Sequence, residues 1–474
     1  MAALRRIGVR AGQRVGIFRR KDIGTIASIY GVLKAHCAYV PLDIKMGSDR
    51  LAAVLNDAGL AALLVDPALA PKICQLAISG LEPVLREASL GLDLWAFTSD
   101  AGTAPHNDNL VSSVGGLAYI LYTSGSTGIP KGVQHTHASA LAFASWAANE
   151  FNISCDDRLS CHAPLHFDLT IFDLFAAALK GACVALVPDD IAMFPSRVAS
   201  LLETEKLTVW YSVPFALIQL AERGNLIGRS LALRQVIFAG ERFPPVQLQQ
   251  LASQLPGVRL SNLFGPTETN VCTYHHLSPD DIQSNRFCPI GLPCPYAEVA
   301  VVDASGNKVP PGEMGQLLVG GASVMSGYLN RPQLNREVFV TRTEAGKAKR
   351  FFRTGDLVTA PQAGPICFHG RADRQVKVRG FRIELDEIES TLESCTGVVA
   401  AAAWVAGEGN GLAEIRAAVA RNPASMRLTS DELIMQIRPH LNQAAIPGRL
   451  FVLDDLPRNV NGKVDYSVLA RLDY

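Results

Sequence analysis

The 474-residue sequence has no excess of charge of either sign, because Lys+Arg and Asp+Glu each number 44. It also contains no block of like charges, and both absences argue against nucleic acid or an anionic membrane surface as a partner. No apolar run is long enough to span a bilayer, since the nearest one, GVVAAAAWVAG, is too short. The amino-terminal MAALRRIGVRAGQRVGIF has no apolar core followed by a small-residue cleavage site, so we predict no secretory signal.

Paired cysteines are also missing from the sequence. Ten cysteines are scattered singly, without a CxxC pair and without metal-ligand spacing to the ten histidines. This pattern predicts a reduced, cytoplasmic protein with free thiols. With 48% apolar and 19% charged residues the chain is typical of globular proteins, and its length predicts several lobes rather than one core.

Apolar or β-branched runs alternate with amphipathic segments through most of the chain. The runs AALLVD, GACVALVP, LTVWYSVP and LRQVIFAGE predict buried strands, whereas ALAFASWAANEF and FPPVQLQQLASQL have helical periodicity. This alternation predicts an α/β fold with largely parallel sheets. After about Gly291, shorter strands with Gly/Pro turns indicate a mixed or antiparallel sheet, and the last hundred residues indicate a small separate domain.

A glycine-rich loop follows a predicted strand in YILYTSGSTGIPKGV, residues 119–133. Backbone N–H groups of such loops converge on anions, and the hydroxyls and Lys131 suit a polyphosphate. The loop is not a Walker A motif, because Lys131 follows Pro130 and precedes Gly132. Considered alone, it is explained equally well as a Ser/Gly-rich surface turn.

Further motifs occur in order along the chain: GVLKAHCAYVPLD, HFDLTIFDLF, LFGPTETNVCTY, FFRTGDLV, GRADRQVKVRGFRIELDEIE and LPRNVNGKVDY. With the glycine loop they resemble the adenylate-forming superfamily, most closely the amino-acid adenylation domains of nonribosomal peptide synthesis, which make antibiotics and other secondary metabolites. The resemblance implies an α/β N-terminal domain (residues 1–372) of three subdomains, two mainly parallel α/β sheets and one β-barrel-like. It also implies a small, mobile α+β C-terminal domain (residues 373–474) and a hinge at Asp373. The chain departs from the family where Arg374 and Asp386 replace a usual Asn or His and a usual Gly.

The same resemblance implies ATP and Mg²⁺ as cofactors. Adenylation brings two anions together, which repel by roughly 1–4 kcal/mol at about 4 Å, so the site must supply cations and fixed dipoles. The expected catalytic residues are Lys463, which bridges the substrate carboxylate and the α-phosphate, Glu268, which binds Mg²⁺, and Thr267. Residues expected to contact ATP or AMP are Thr123, Ser124, Gly125, Ser126, Thr127, Gly128, Lys131, Ala239, Gly240, Glu241, Phe264, Gly265, Thr269, Asp356 and Arg371. Among these, Asp356 is expected to accept both ribose hydroxyls and Phe264 to face the adenine.

Asp168 narrows the expected substrate, because it lies in an otherwise apolar segment where a carboxylate is costly to bury without a cationic partner. In the resemblance it corresponds to the residue that binds the α-ammonium of an amino acid; the alternative is a helix cap. The other expected pocket residues, besides Lys463, form an uncharged lining: Leu169, Phe172, Tyr211, Ile237, Ala239, Leu263, Val271 and Cys272. This set resembles that of stand-alone prolyl ligases and favours a compact apolar amino acid such as L-proline.

No carrier-protein signature follows Lys463. We therefore expect transfer of the amino acid to the phosphopantetheine thiol of a separate peptidyl-carrier protein. Three alternatives stay open: a ligase for another small amino acid such as D-alanine, an acid–CoA ligase, and an inactive homologue acting as a scaffold. The presence of Asp168 disfavours the second, and the presence of Lys463, Glu268 and Asp356 disfavours the third.

Overall fold

The computed structural model describes residues 1–76, 78–87, 91–97, 116–125, 130–344, 346–407, 413–422, 428–458 and 464–472. These residues divide into two compact units. The first comprises residues 1–44, 57–122 and 132–372, and the second comprises residues 45–56, 123–131 and 373–474. The chain passes between the units after Ala372, next to the predicted hinge residue Asp373. The hinge itself, and the assignment of domains to residues 1–372 and 373–474, stay predictions.

An eight-stranded mixed sheet has the strand order β17-β7-β6-β2-β1-β3-β5-β4. Its strands are β1 (Arg14–Phe18), β2 (Ala38–Pro41), β3 (Ala62–Val65), β4 (Leu81–Glu87), β5 (Leu92–Phe97), β6 (Leu117–Thr123), β7 (Lys131–Thr136) and β17 (Gly327–Tyr328). The central strands β1, β2, β3 and β6 pair in parallel. The strand β3 confirms the prediction from AALLVD, and β6 leads directly into the glycine loop.

A seven-stranded sheet of the first unit has the order β14-β13-β12-β11-β10-β8-β9. Its strands are β8 (Arg158–Cys161), β9 (Cys183–Leu186), β10 (Val209–Ser212), β11 (Gln235–Ala239), β12 (Arg259–Phe264), β13 (Thr273–His276) and β14 (Leu292–Pro293). Strands β8 to β12 pair in parallel, whereas β13 and β14 are antiparallel. The almost completely buried β10 and β11 explain why their sequences are continuous apolar runs.

After Gly291 the first unit forms an antiparallel sheet, as predicted. Its strands are β15 (Ala297–Val302), β16 (Met314–Gly321), β18 (Phe339–Glu344), β19 (Lys347–Thr359) and β20 (Cys367–Arg371). Because β19 is 13 residues long, its first part pairs with β18 and its last part with β20.

Helices cover the sequence between these strands, and the two helices predicted from periodicity are α5 and α11. The helices before residue 373 are α1 (Ala2–Arg6), α2 (Ile23–Lys34), α3 (Ser48–Ala58), α4 (Ala70–Gln75), α5 (His137–Glu150), α6 (Leu169–Ile171), α7 (Ala177–Lys180), α8 (Asp189–Ala192), α9 (Pro195–Thr204), α10 (Pro214–Arg223), α11 (Pro245–Gln254), α12 (Pro279–Gln283) and α13 (Pro332–Val338). A 3₁₀ turn covers Pro67–Leu69, and a π-helical turn, Phe172–Ala176, joins α6 to α7. Among the described residues, no helix is long and apolar enough to cross a membrane.

The second unit has a hydrophobic core of its own, which includes Ile388, Leu392 and Leu433. Its strands are β21 (Gln375–Val378), β22 (Phe381–Glu384), β23 (Val398–Ala406), β24 (Glu414–Arg421) and β25 (Arg449–Leu453). Its helices after residue 373 are α14 (Leu385–Glu393), α15 (Ser430–Ile437) and α16 (Tyr466–Leu469), with a 3₁₀ turn at Gln443–Ala445. The alternation of strand and helix confirms the α+β character expected for this part of the chain.

Candidate active site

Asp168 lies immediately before the short helix α6. Within the described chain its side chain makes no capping hydrogen bond to this helix, which removes the main support for a helix-cap role. Burial, followed by the negative charges of Asp168 and Asp173, raises the pKa of Tyr211 well above its usual value. Asp168 is therefore close enough to Tyr211, a predicted pocket residue, for its charge to affect the pKa of that hydroxyl.

The predicted pocket lining comes together in a single apolar cluster of the first unit. Phe172 and Tyr211, both buried, meet edge to face with their ring centroids 5.5 Å apart. Phe172 begins the π-helical turn, and such turns are often found at functional sites. Strand register places four of the lining residues in pairs, with Tyr211 beside Ile237 and Ala239 beside Leu263.

A tight loop joins β12 to β13 and contains the predicted Thr267, Glu268 and Thr269. Gly265 is required here, because a Cβ at this position would lie 1.8 Å from the carbonyl oxygen of Asn270. Asn270 has a φ of 52°, in the left-handed region that asparagine tolerates better than most residues. Its Oδ1 accepts a hydrogen bond from Val271 N at 2.8 Å, and the loop is closed by the backbone hydrogen bond from Cys272 N to the Phe264 carbonyl at 2.8 Å.

Glu268 is fully buried, and its Oε1 accepts a 2.6 Å hydrogen bond from the Tyr328 hydroxyl. Its backbone carbonyl accepts a hydrogen bond from Met325 N at 2.8 Å. The described residues contain no group of three or more metal-ligating side chains. A single fixed carboxylate fits Mg²⁺, which is commonly bound by one or two carboxylates together with substrate phosphates and water.

Asp356 and Arg371 form a cross-strand pair. They lie directly opposite each other on β19 and β20, and Arg371 Nη1 is 2.7 Å from Asp356 Oδ1. Both side chains are largely buried, and Asp356 N donates a hydrogen bond to Thr354 Oγ1 at 3.0 Å. The sequence predicted both residues as nucleotide contacts but not that they pair with each other.

The remaining nucleotide residues predicted in the first unit lie at the ends of β11 and β12. Ala239 ends β11, and Gly240 follows with a φ of 98°. Glu241 Oε2 accepts a hydrogen bond from Phe215 N at 3.4 Å. Phe264 ends β12, with its ring centroid 5.7 Å from that of Phe368. The aromatic side chain predicted to face adenine therefore has a second aromatic ring beside it.

The described part of the glycine loop belongs to the second unit. Thr123 Oγ1 is buried and has no hydrogen-bond partner among the described residues. Ser124 Oγ donates to the carbonyl of Arg382 at 2.9 Å. Lys131 Nζ lies 3.7 Å from Glu384 Oε1, so a phosphate binding to Lys131 would compete with a carboxylate.

The two departures in the hinge motif compensate each other. Arg374 donates to Asp386 Oδ1 at 2.8 Å and also binds Glu389 through both terminal nitrogens. The Arg374 guanidinium stacks on the Tyr466 ring, 4.8 Å from its centroid. The predicted hinge residue Asp373 accepts a hydrogen bond from Gln375 N at 3.2 Å. The unusual residues are therefore part of one ion-pair network beside the predicted hinge.

Four predicted site residues lie outside the described residues: Ser126, Thr127, Gly128 and Lys463. Conversely, two residues that hold the Glu268 loop were not predicted from the sequence: Tyr328, which donates to Glu268, and Asn270, which lies within the loop. Asn270 follows GPTET directly. Because asparagine tolerates the left-handed conformation, its presence there could have indicated a turn after Thr269. Tyr328 is 60 residues away from Glu268 in the chain, and nothing in the sequence pattern connects the two.

Comparison with known proteins shows similarity to AMP-binding and adenylation proteins in both sequence and structure. The family model described as "AMP-binding enzyme" matches residues 2–329. An L-proline–[L-prolyl-carrier protein] ligase of Streptomyces coelicolor is 38% identical, over 99% of this chain and 89% of the relative. A protein of the same name from Pseudomonas fluorescens is 35% identical, over 99% of this chain and 91% of the relative. The crystal structure of the Vibrio cholerae adenylation domain AlmE, in complex with glycyl-adenosine-5'-phosphate, is similar with a TM-score of 0.82 at 26% identity. That similarity covers 99% of this chain and 90% of the AlmE chain.

Proposed function

Because this chain belongs to the AMP-binding enzyme family, we propose that it activates L-proline with ATP and loads the prolyl group onto a separate carrier protein. The observation that carries this proposal is the position of Asp168 directly before Leu169, in the segment whose Leu169 and Phe172 belong with Tyr211 to one buried apolar cluster. The names of the two prolyl ligases that align with almost the whole chain support the same substrate.

In the first step, a carboxylate oxygen of proline attacks the α-phosphorus of ATP. A new acyl–phosphate bond forms, the bond between the α-phosphorus and the bridging oxygen breaks, and pyrophosphate leaves. Glu268, in the β12–β13 loop, would hold Mg²⁺, which supplies positive charge to the phosphates. Thr267 and Thr269 from the same loop would orient the α-phosphate, and Lys463 would bridge it to the attacking carboxylate.

Asp356 and Arg371 would bind the sugar side of the nucleotide. A carboxylate has two oxygens and about four lone pairs, so Asp356 can accept from ribose hydroxyls while one of its oxygens stays bound to Arg371. The ion pair fixes the direction of the carboxylate before the nucleotide binds, which lowers the entropic cost of binding. The glycine-loop residues Thr123 to Gly128 and Lys131 would receive the β- and γ-phosphates.

In the second step, the phosphopantetheine thiolate of the carrier protein attacks the acyl carbon. A thioester forms, the acyl–phosphate bond breaks, and AMP leaves. A peptidyl-carrier protein is therefore the expected macromolecular partner. All ten cysteine thiols of the chain are free, which supports a cytoplasmic location as part of the proposal.

The pocket selects proline by size and by charge. Phe172 and Tyr211 are locked edge to face and limit its volume. Alanine would lose the transfer free energy of two or three methylene groups, at about 0.8 kcal/mol each. The cationic secondary amine of proline still carries two N–H donors, so Asp168 can bind it. Leucine and phenylalanine would meet the aromatic rings.

ATP–pyrophosphate exchange over a panel of amino and aryl acids tests the proposal. L-Proline is expected to give the highest exchange rate, with its six-membered homologue close behind, because one methylene is worth only about 1–3 kcal/mol in such a pocket. D-Alanine, L-alanine and valine are expected to be far lower. A leading signal from alanine, valine or an aryl acid contradicts the prolyl assignment, and no exchange with any acid contradicts adenylation itself.

A further inference from the structure

A buried histidine lies behind the loop that contains Thr267 and Glu268. His135, near the end of β7, is 1% exposed, and its Nε2 lies 2.8 Å from the carbonyl oxygen of Thr267. The ring stacks on Tyr119 with centroids 4.9 Å apart, and its Nδ1 lies 3.1 Å from Ser139 Oγ. Both ring nitrogens and one ring face are therefore engaged, and the imidazole has a fixed orientation.

Burial determines the charge of His135, and its hydrogen-bond partners determine which ring nitrogen carries the proton. Burial lowers its pKa to about 4, although the Thr267 carbonyl and the nearby Glu268 act in the opposite direction. The ring is therefore neutral near pH 7 and carries one proton. Because a carbonyl oxygen can only accept, that proton is on Nε2 and is donated to Thr267, whereas Nδ1 accepts from the Ser139 hydroxyl.

The contact of His135 reaches the backbone between two residues of the candidate site. The carbonyl of Thr267 belongs to the peptide group that connects Thr267 to Glu268, so its orientation affects the direction of the Glu268 side chain. Tyr328 holds the carboxylate of Glu268, and Met325 N holds its carbonyl. His135 supplies a hydrogen bond on the other side of Glu268, at the preceding peptide.

We propose that His135 is a positioning residue, which holds the Thr267–Glu268 peptide so that the Glu268 carboxylate is directed toward Mg²⁺ bound to ATP. This inference rests on the proposed function, which is where Glu268 is assigned to Mg²⁺. His135 does not itself touch the nucleotide or the metal in this account. It acts through the backbone, as residues behind metal ligands commonly act.

Two substitutions separate the hydrogen bond from the packing of the ring. His135→Gln places an amide nitrogen at about the position of Nε2 and can still donate to the Thr267 carbonyl. His135→Leu fills similar space but leaves that buried carbonyl without a donor. Leu248→Ala is the matched control, because it creates a cavity at a buried position of another apolar cluster of the same unit.

The readouts are ATP binding by titration calorimetry, with and without Mg²⁺, and the Mg²⁺ dependence of pyrophosphate exchange. For His135→Leu, we expect the Mg²⁺ concentration for half-maximal exchange to rise about 10–100-fold, as is typical for loss of an outer-shell partner. The Mg²⁺-dependent gain in ATP affinity should shrink in parallel. His135→Gln should stay within a few-fold of the wild type, and Leu248→Ala should lose thermal stability without a change in Mg²⁺ dependence.

Three other outcomes would contradict the positioning role, its assignment to the hydrogen bond, or the proposed function. A folded His135→Leu protein with the Mg²⁺ dependence of the wild type overturns the positioning role. An equal change in Leu248→Ala shows that lost stability, and not the hydrogen bond, is responsible. If the wild type exchanges no amino acid but His135→Leu still weakens Mg²⁺-dependent ATP binding, the proposed function fails while the positioning role stands.

Discussion

The residues of the proposed amino-acid pocket and the loop around Glu268 are both largely buried, but different forces hold them in place. The pocket is apolar, and its residues belong to one hydrophobic cluster in which Phe172 packs against Tyr211. The loop is polar, and it is fixed by hydrogen bonds from Tyr328 and His135, which lie far from it in the chain. Packing fixes the volume of a site, whereas hydrogen bonds fix the direction of single groups.

This difference predicts different effects of mutation. Substitutions in the pocket should change stability and the choice of amino acid together, because a large buried side chain contributes to both. Substitutions behind Glu268 should change catalysis or Mg²⁺ dependence with little effect on substrate choice. The following predictions test this distinction, from the largest expected effect to the smallest.

Of the substitutions in residues expected to act on the nucleotide, Lys463→Ala should reduce adenylate formation most. Loss of one preorganised electrostatic contact typically lowers turnover about 10²–10³-fold. Adenylate formation should fall to this extent, and the choice of amino acid should not change. Transfer from a supplied prolyl adenylate to a carrier protein should remain, because the mobile domain is expected to withdraw Lys463 between the steps. Separate assays of the two steps measure this, and an equal loss in both is incompatible with the assigned role.

Tyr328→Phe should reduce adenylate formation less than Lys463→Ala does. It removes the hydroxyl that donates to Glu268 Oε1 and leaves the ring in place. Pyrophosphate exchange should fall about 10–100-fold with an increased Mg²⁺ requirement, whereas the preference among amino acids should be unchanged. Tyr274→Phe, on the adjoining strand β13, is the control. If the Tyr328 variant keeps wild-type Mg²⁺ dependence but changes substrate preference, the Glu268 loop and the amino-acid pocket do not have separate roles.

The sequence indicated most of the strands and residues that come together in the apolar part of the candidate site, but fewer of the contacts in its polar part. The strands that position Tyr211 and Ile237 are recognisable because buried parallel strands are continuous apolar runs. The contacts of Tyr328 and His135 with the loop are not recognisable, since a hydrogen bond between residues so far apart leaves no periodic pattern. The ion pair of Asp356 and Arg371 likewise depends on strand register, which is set only when β19 and β20 pair.

The buried Asp173, next to the pocket residue Phe172, should make the stability of the protein depend on pH. Asp173 is fully buried, and neither carboxylate oxygen has a hydrogen-bond partner among the described residues. Burial raises its pKa well above the usual value, although Lys21 opposes the shift. The folded protein therefore keeps the proton that the unfolded chain loses above about pH 4. Stability must then fall as the pH rises from there toward the folded pKa, by at most about 1.4 kcal/mol per pH unit.

Asp173→Asn should abolish this dependence, because asparagine does not titrate. In urea unfolding at several pH values between 5 and 8, the variant should gain stability relative to the wild type as the pH increases. Its amino-acid preference should stay the same. Parallel stability curves for the two proteins would show that the Asp173 carboxyl is already ionised in the folded state.

The central claim is that Asp168 recognises the ammonium of an amino acid, and a comparison of two substrates in two proteins tests it most directly. Cyclopentanecarboxylic acid has the ring size and carboxylate of proline but no nitrogen. The wild type should activate proline with a kcat/KM on the order of 10²–10³ times higher, because a buried carboxylate without its cationic partner costs roughly 3–5 kcal/mol. In Asp168→Asn this preference should fall to a few-fold, with ATP binding and thermal stability retained. If the variant still prefers proline as strongly as the wild type, or loses its stability instead, Asp168 is not the ammonium ligand.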